Sequence, residues 1–156
     1  MQITIVEGDL LDQKVDAIVN AWNQNSIPWW LLSPHGVSGA IKKRAGNKPF
    51  RELARHGRMQ RGQVILTGAG ELPYQGIIHV AGISMLGQTS KQSIQDSVRN
   101  AVQVAKEHGF QSIAFPIIGS GSGTFSEEQA LAYMHYALET TKYEGQVIIV
   151  RSIHKG

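Results

Sequence analysis

The sequence predicts an α/β domain with helices on both faces of a central sheet. Strand-like and helix-like segments alternate along the chain of 156 residues. Residues 112–118 form a continuous apolar run, which is typical of a strand buried on both faces of a sheet. The chain has no repeat, low-complexity tract or linker. We therefore expect a single domain over residues 1–156, a length at which one core buries most of the chain's surface.

Six short apolar or alternating runs are predicted as strands. They are residues 2–6, 17–20, 63–67, 76–81, 112–118 and 146–152. The first predicted helix, residues 37–45, has its apolar residues on one face and stops at Gly46. Residues 49–56 are predicted as a second, short helix.

Two longer helices are marked by their caps. The third helix lies between Ser90, a predicted N-cap, and Gly109, a predicted C′ residue. The fourth follows Ser126, which can form a capping box with Gln129. The apolar faces of these helices are Ile94, Val98, Ala101, Val102 and Ala105 in the third, and Ala130, Leu131, Met134, Ala137 and Leu138 in the fourth.

The composition excludes several kinds of site. Because the chain has no cysteine, disulfides, thiol catalysis and a Cys-ligated zinc site are excluded. We also expect neither a metal nor a cofactor. No apolar run approaches the ~20 residues that span a bilayer, and no signal segment is visible, so we expect a cytoplasmic protein without a membrane partner. The net charge of +3 favours polyanionic partners weakly. The basic residues 42–44 are interpreted as the solvated face of a helix, with a nucleic-acid patch as the alternative.

In sheets of this kind, ligands bind beyond the carboxyl ends of the strands. The glycine-rich residues 117–126 have three glycines at alternate positions between a buried strand and a capped helix. Such a loop offers backbone N–H groups and a helix N-terminus to an anion, although a flexible Gly/Ser turn is the alternative. Its spacing differs from the Walker A, dinucleotide-binding and nucleophile-elbow motifs. Residues 34–39 lead into another helix, so two helix N-termini together could hold a diphosphate.

Polar residues follow the first two strands. Asn20 and Asn23 leave the second strand, where their amides suit sugar hydroxyls or close an Asx turn. Asp9 follows the first strand, where its carboxylate could accept from an exocyclic base amine or cap a turn.

Six motifs occur in the same order as in the macro domain family. They are GDL at 8–10, VDAIVNAWN at 15–23, GVSGAIKKRAG at 36–46, TGAGELP at 67–73, IIHVAG at 77–82 and SIAFPIIGSGSGTFS at 112–126. The chain thus resembles this family over nearly its whole length. The resemblance implies a three-layer α/β/α fold with a central mixed, mostly parallel sheet. It also implies binding of ADP-ribose and, as in many members, hydrolysis of ADP-ribose derivatives.

The resemblance also implies roles for individual residues. Asp9 matches the family residue that hydrogen-bonds the adenine amine. Asn23 matches the residue that faces the distal ribose, and residues 119–125 match the loop that surrounds the diphosphate. The residues predicted to bind the ligand are Asp9, Leu10, Asn20, Asn23, Trp29, Trp30, Gly36, Val37, Gly119, Ser120, Gly121, Ser122, Gly123, Thr124 and Phe125.

The stretch IPWWLLSPHG stands where many relatives have a run of glycines, which marks the chain as a divergent member. Its bulky side chains replace bare backbone beside the pocket. Trp29 and Trp30 are therefore interpreted as a wall that covers the ligand or narrows its distal-ribose end, with additional core under a longer loop as the alternative.

The catalytic residues of hydrolytic relatives are incomplete here. Ser38 stands in place of the usual catalytic aspartate, and Gly123 in place of the aspartate of a second subgroup, whose lysine is absent from IIHVAG. His35 is the imidazole on a predicted ligand-facing loop, so it is the candidate general base, with Asn23 orienting the sugar and Ser38 assisting. The alternative is that His35 is a surface residue, and His79, in mid-strand, is interpreted as structural.

Three functions stay open. The first is a hydrolase that acts on ADP-ribosylated protein or nucleic acid, or on a small ADP-ribose ester. The second is a non-catalytic reader of ADP-ribose. The third is a nucleic-acid binder that uses residues 42–44 and the tryptophans. We expect ADP-ribose or an ADP-ribosylated macromolecule as the partner, with nucleic acid only as a modified substrate.

Overall fold

The computed structural model describes residues 1–23, 37–56, 62–83, 90–119 and 125–152. Within these ranges the strands are β1 (Gln2–Gly8), β2 (Ala17–Asn23), β3 (Val64–Thr67), β4 (Gly76–Ile83), β5 (Ser112–Pro116) and β6 (Gln146–Ser152). The α-helices are α1 (Val37–Ala45), α2 (Lys48–Arg55), α3 (Lys91–Glu107) and α4 (Glu127–Glu139). A 3-10 turn, Leu10–Asp12, follows β1. No described helix is both long enough and apolar enough to cross a bilayer.

The six strands form one sheet in the order β1-β6-β5-β2-β4-β3. Neighbouring strands are parallel, except that β3 runs antiparallel to β4. Helices α3 and α4 pack on one face, and α1, α2 and the 3-10 turn pack on the other. The predicted three-layer α/β/α fold with a mixed, mostly parallel sheet is thus confirmed.

The central strands are buried on both faces, because successive side chains of a strand point to opposite sides of the sheet. In β2, Val19 belongs to the cluster under α3 and α4, and Ile18 belongs to the cluster under α1 and α2. Both side chains are completely buried. In β5, Phe115 and Ala114 divide between the two clusters in the same way.

Local capping signals determine where the long helices begin. The Ser90 hydroxyl accepts a hydrogen bond from Ser93 N at 3.0 Å. Ser126 and Gln129 form a reciprocal capping box, with both hydrogen bonds at 3.2 Å. Gly109 has φ +70°, as expected for a C′ residue. The predicted starts of α3 and α4 are confirmed.

The predicted ends of several strands were wrong. β2 continues past Asn20 to Asn23, and β4 continues past residue 81 to Ile83. β5 ends at Pro116, two residues earlier than predicted. A proline has no N–H for the ladder, so pairing stops there although the sequence stays apolar. The extension of β2 depends on a distant partner of Asn20, described below.

The turn between β3 and β4 packs against the end of α1. Gly70 has φ +60°, and a Cβ at this position would lie 2.1 Å from the Ala45 carbonyl oxygen. That oxygen accepts a hydrogen bond from Glu71 N at 2.9 Å. This contact places the C-terminus of α1 beside the turn that enters β4. The N-terminus of α1 therefore points towards the other end of the strands, where the carboxyl ends of the parallel strands lie.

We expect Gly70→Ala to destabilise the fold more than Gly109→Ala. Both glycines have positive φ, but a Cβ on Gly109 would meet nothing within 4 Å, so that variant adds backbone strain alone. This strain costs about 1 kcal/mol, whereas the clash at Gly70 should raise the cost to roughly 3 kcal/mol or more. Urea unfolding of both variants measures the difference. Equal losses would show that the turn moves away from α1 without cost.

Candidate functional site

The parallel strands β1, β2, β4, β5 and β6 all end on the same side of the sheet. This side, which contains the carboxyl ends of the strands, is called the carboxyl edge here. The described residues at this edge include three that were predicted to bind the ligand and that lie at or after a strand end. Asp9 follows β1, Asn23 is the last residue of β2, and Gly119 follows β5 by three residues. Residues that are distant in the sequence are thus brought to a common edge, as the parallel topology requires.

Other predicted site residues lie outside the described residues. They are Trp29, Trp30, His35, Gly36, Ser120, Gly121, Ser122, Gly123 and Thr124. Their roles stay predictions, and so does the interpretation of Trp29 and Trp30 as a wall. Val37 and Ser38 are the first two residues of α1.

Asp9 caps the 3-10 turn with one of its carboxylate oxygens. Its Oδ1 accepts a hydrogen bond from Leu11 N at 2.9 Å. Within the described part of the chain, no hydrogen bond to Oδ2 is found, and the residue is exposed. The Leu10 side chain is buried in the core, so a ligand contact of Leu10 would have to come from its main chain. The capping role and a contact with a base amine are therefore compatible in Asp9.

Tyr74 hydrogen-bonds the main chain of the 3-10 turn and of the residue that follows it. Its hydroxyl lies 3.1 Å from the Leu11 carbonyl oxygen and 2.9 Å from that of Gln13. Burial raises the pKa of the Tyr74 hydroxyl, which keeps it protonated as a hydrogen-bond donor. No local sequence pattern indicates this role of Tyr74, because its partners lie more than sixty positions away.

Asn20 was predicted as the last residue of β2, but it lies within the strand and is completely buried. Its Nδ2 lies 3.0 Å from His79 Nδ1 on β4, where the two residues are register partners. His79 Nε2 in turn lies 2.9 Å from Thr67 Oγ1 on β3. Buried amides are stable only with partners, and this partner lets β2 continue through a polar residue.

His79 is completely buried, and its ring meets Phe50 of α2 edge-on, at 5.8 Å between centroids. Burial lowers the pKa of His79 from 6.5 to about 3, because the interior cannot solvate an imidazolium. His79 is therefore neutral at neutral pH. This environment agrees with the structural role expected from its position in mid-strand.

A β-bulge lies where β2 reaches the carboxyl edge. Trp22 pairs with Ala81, but Asn23 pairs with Ile83, so β4 has one additional residue, Gly82, in this stretch. Bulges change the direction of a strand and are frequent beside active sites. This one begins at the residue predicted to face the distal ribose.

The end of the glycine loop is attached to α4 by an aromatic contact. Gly119, with φ +95°, turns the chain after β5. Phe125 meets Tyr133 edge-on, with 5.2 Å between ring centroids. Lys91 Nζ lies 5.7 Å from the centroid of the same tyrosine ring. Tyr133 and Lys91 were not among the predicted site residues. The signal in the sequence is Lys91 itself, because a lysine in the first turn of a helix is unfavourable with respect to the helix dipole.

Charges at the helix N-termini differ along this edge. Helix α4 has Glu127 and Glu128 in its first turn, whereas α1 and α3 have no acidic residue there. Glu127 Oε1 accepts a hydrogen bond from Arg151 Nε at 2.5 Å, and this bond raises the pKa of Arg151. Among the described residues, no group of three or more His, Asp or Glu side chains could hold a metal ion.

Comparison with known proteins identifies similar sequences and folds. The Macro domain family model matches residues 19–134. A Klebsiella pneumoniae protein named O-acetyl-ADP-ribose deacetylase is 33% identical over 136 residues, which cover 83% of this chain and 75% of that protein. A mutant Oceanobacillus iheyensis macrodomain with ADPR is similar in structure, with TM-score 0.79, 29% identity, and coverage of 94% of this chain and 83% of that chain. A Trypanosoma brucei macrodomain in complex with ADP-ribose has TM-score 0.78 and 25% identity, covering 99% of this chain and 65% of that chain.

We expect His79 to make the fold sensitive to acid. The unfolded chain binds a proton on this histidine below pH 6.5, whereas the folded chain does so only near pH 3. Stability should therefore fall as the pH drops from 6.5 towards 3, by about 1.4 kcal/mol per pH unit, and His79 should add no pH dependence above 6.5. Urea unfolding at several pH values in this range measures the slope.

The variant His79→Phe should have a smaller slope than the wild type, because the proton-binding group is gone. His108→Phe is the matched control for replacing a histidine by phenylalanine, since His108 is exposed and lies outside the sheet. Equal slopes in the wild type and His79→Phe would contradict the low pKa of His79.

Proposed function

Because the chain belongs to the macro domain family, we propose that it binds ADP-ribose at the carboxyl edge and hydrolyses an ADP-ribosyl linkage. The observation that supports this best is the gathering of Asp9, Asn23 and Gly119 at one edge. These residues have the chemistry that the three parts of ADP-ribose require. The name of the Klebsiella relative and the ligands of the two structural relatives support the same ligand.

The proposed binding mode assigns one part of the ligand to each element. Asp9 Oδ2 accepts from the exocyclic amine of adenine, while Oδ1 keeps its bond to Leu11 N. The glycine loop 119–125 and the N-terminus of α1 surround the diphosphate, where backbone N–H groups and helix dipoles favour negative charge. Asn23 hydrogen-bonds the hydroxyls of the distal ribose. This ligand needs no resident metal for its binding.

The proposed reaction is attack of water on the bond between the distal ribose and its substituent. In a small ester, water adds to the acyl carbon, and the products are ADP-ribose and a carboxylic acid. His35 takes the proton from water as general base, and Asn23 orients the sugar. Ser38 can donate or accept a hydrogen bond but cannot replace a carboxylate as base, because its hydroxyl is not ionised near neutral pH. Without an effective base the rate would fall roughly 10²- to 10⁴-fold.

The substrate class is an ADP-ribosylated protein or nucleic acid, or a small ester such as O-acetyl-ADP-ribose, in the cytoplasm. The second candidate function is a reader that binds ADP-ribose without cleaving it. Ser38 favours this alternative, since it stands where hydrolytic relatives of the best-known type have an acid.

We expect Asp9→Asn to weaken ADP-ribose binding roughly 10- to 100-fold, because hydrogen bonds to a charged group contribute about 1.5–3 kcal/mol. Asparagine is also a good N-cap, so the 3-10 turn should persist. Asp12→Asn, in the same turn and also exposed, is the matched control. Calorimetric titration with ADP-ribose, ADP and AMP measures the effect. Unchanged affinity in Asp9→Asn would refute the adenine contact.

We expect His35→Ala to retain ADP-ribose binding and to lose turnover roughly 10²- to 10⁴-fold, as is typical for a general base. Release of ADP-ribose from O-acetyl-ADP-ribose and from an ADP-ribosylated protein measures turnover. Ser38→Asp is the complementary variant, since it restores a carboxylate and should raise the rate. A wild type without turnover on either substrate, but with tight ADP-ribose binding, would establish the reader.

A further inference from the structure

A chain of hydrogen bonds crosses three neighbouring strands on the α1/α2 face of the sheet. Asn20 Nδ2 lies 3.0 Å from His79 Nδ1, and His79 Nε2 lies 2.9 Å from Thr67 Oγ1. Thr67 Oγ1 in turn lies 2.9 Å from the carbonyl oxygen of Gly68. The side chains of Asn20, His79 and Thr67 are all buried. These four residues are called the polar chain below.

The last link determines the direction of the others. A carbonyl oxygen can only accept, so the single proton of the Thr67 hydroxyl is donated to Gly68. Thr67 Oγ1 must then accept from His79, which requires a proton on Nε2. His79 Nδ1 has no proton in the neutral ring and accepts from the Asn20 amide. Every bond of the polar chain is thus satisfied by one tautomer of His79 and one orientation of the Asn20 amide.

The position of the polar chain connects it with the site. Asn20 and His79 are register partners in the middle of β2 and β4. Asn23 follows Asn20 on the same strand by three residues, or about 10 Å at the usual rise of a strand. Between them the ladder has regular pairs, and it shifts register only at Asn23. The polar chain is therefore the buried polar crosslink that precedes the bulge.

We propose that the polar chain holds β2 and β4 in register up to the bulge, so that His79, as its neutral Nε2–H tautomer, is a positioning residue for Asn23. A one-residue slip of β2 would move its side chains to the opposite face and separate Asn20 from His79. Apolar neighbours such as Ile18 and Val19 resist a slip by burial alone, whereas the polar chain adds a directional constraint. The consequence for ADP-ribose rests on the proposed function.

The first test is the tautomer itself, which requires no ligand. Long-range ¹H–¹⁵N correlation spectra of the imidazole rings distinguish Nε2–H, Nδ1–H and imidazolium. We expect Nε2–H for His79 in the wild type at neutral pH. In Asn20→Asp an ionised carboxylate could only accept, and His79 would then gain a proton on Nδ1. A wild-type Nδ1–H ring would overturn the proposed direction.

The second test is whether the effect reaches Asn23. In His79→Phe the ring shape is kept and the polar chain is lost. We expect ADP-ribose affinity to fall about tenfold, because a displaced Asn23 would lose a hydrogen bond to the distal ribose. Affinity for ADP, which lacks the distal ribose, should fall less than about twofold. An equal loss for both ligands would show a merely structural role and refute the proposal.

Ser97→Ala is the matched control for removing a buried polar group. Ser97 lies in α3, and its buried hydroxyl has no hydrogen-bond partner within the described ranges. This variant should leave both affinities unchanged. If His79→Phe does not fold, the same affinities are measured for Thr67→Val. This variant removes the hydroxyl oxygen that accepts the hydrogen bond from His79 Nε2 and keeps the shape of the side chain.

The two proposals can fail separately. If the wild type binds neither ADP-ribose nor ADP, the proposed function fails, and the backbone amide signals of residues 21–23 still decide the positioning role. We expect these signals to move in His79→Phe and to stay in place in Ser97→Ala. Signals of residues 21–23 that are unchanged in His79→Phe would refute the positioning role whether or not a ligand binds.

Discussion

Ile18 and Val19 are adjacent in β2, point to opposite faces of the sheet, and are both completely buried. This burial of the central strands on both faces is the constraint on which the rest of the structure depends. It leaves no room for unpaired polar groups within the sheet, since each would cost about 1–3 kcal/mol. The polar chain nevertheless lies in mid-sheet. It is tolerated because each of its described bonds has a donor and an acceptor.

The helix N-termini at the same edge differ in charge. The first turn of α4 contains acidic residues, one of which pairs with Arg151, so the positive end of that helix dipole is partly neutralised. The first turns of α1 and α3 contain none, and α3 begins with Lys91. A cation at a helix N-terminus is unfavourable unless something compensates it. Here the ring of Tyr133 does so in part, and a bound anion would do so further.

Sequence patterns predicted the features that depend on near neighbours. The capping boxes at Ser90 and Ser126 involve residues three positions apart, so the starts of α3 and α4 could be predicted. The end of β2 could not, because Asn20 has its partner 59 positions away. For the same reason Tyr74 was missed as the support of the turn at Asp9. Asp9 was predicted with two alternative roles, and the structure shows the capping one while leaving Oδ2 available.

The proposed positioning role of His79 would make stability and site geometry depend on the same residue. His79 is neutral because it is buried, and its neutral ring is what lets Nδ1 accept from Asn20. Protonation would place two donors, Nδ1–H and the Asn20 amide, against each other at 3.0 Å. Acid would therefore break the polar chain in the same step that destabilises the sheet. The residues proposed for hydrolysis, His35 and Ser38, are not part of the polar chain, so changes there should alter turnover without this cost. The two proposals together would tie binding geometry to the core and leave reactivity to residues outside it.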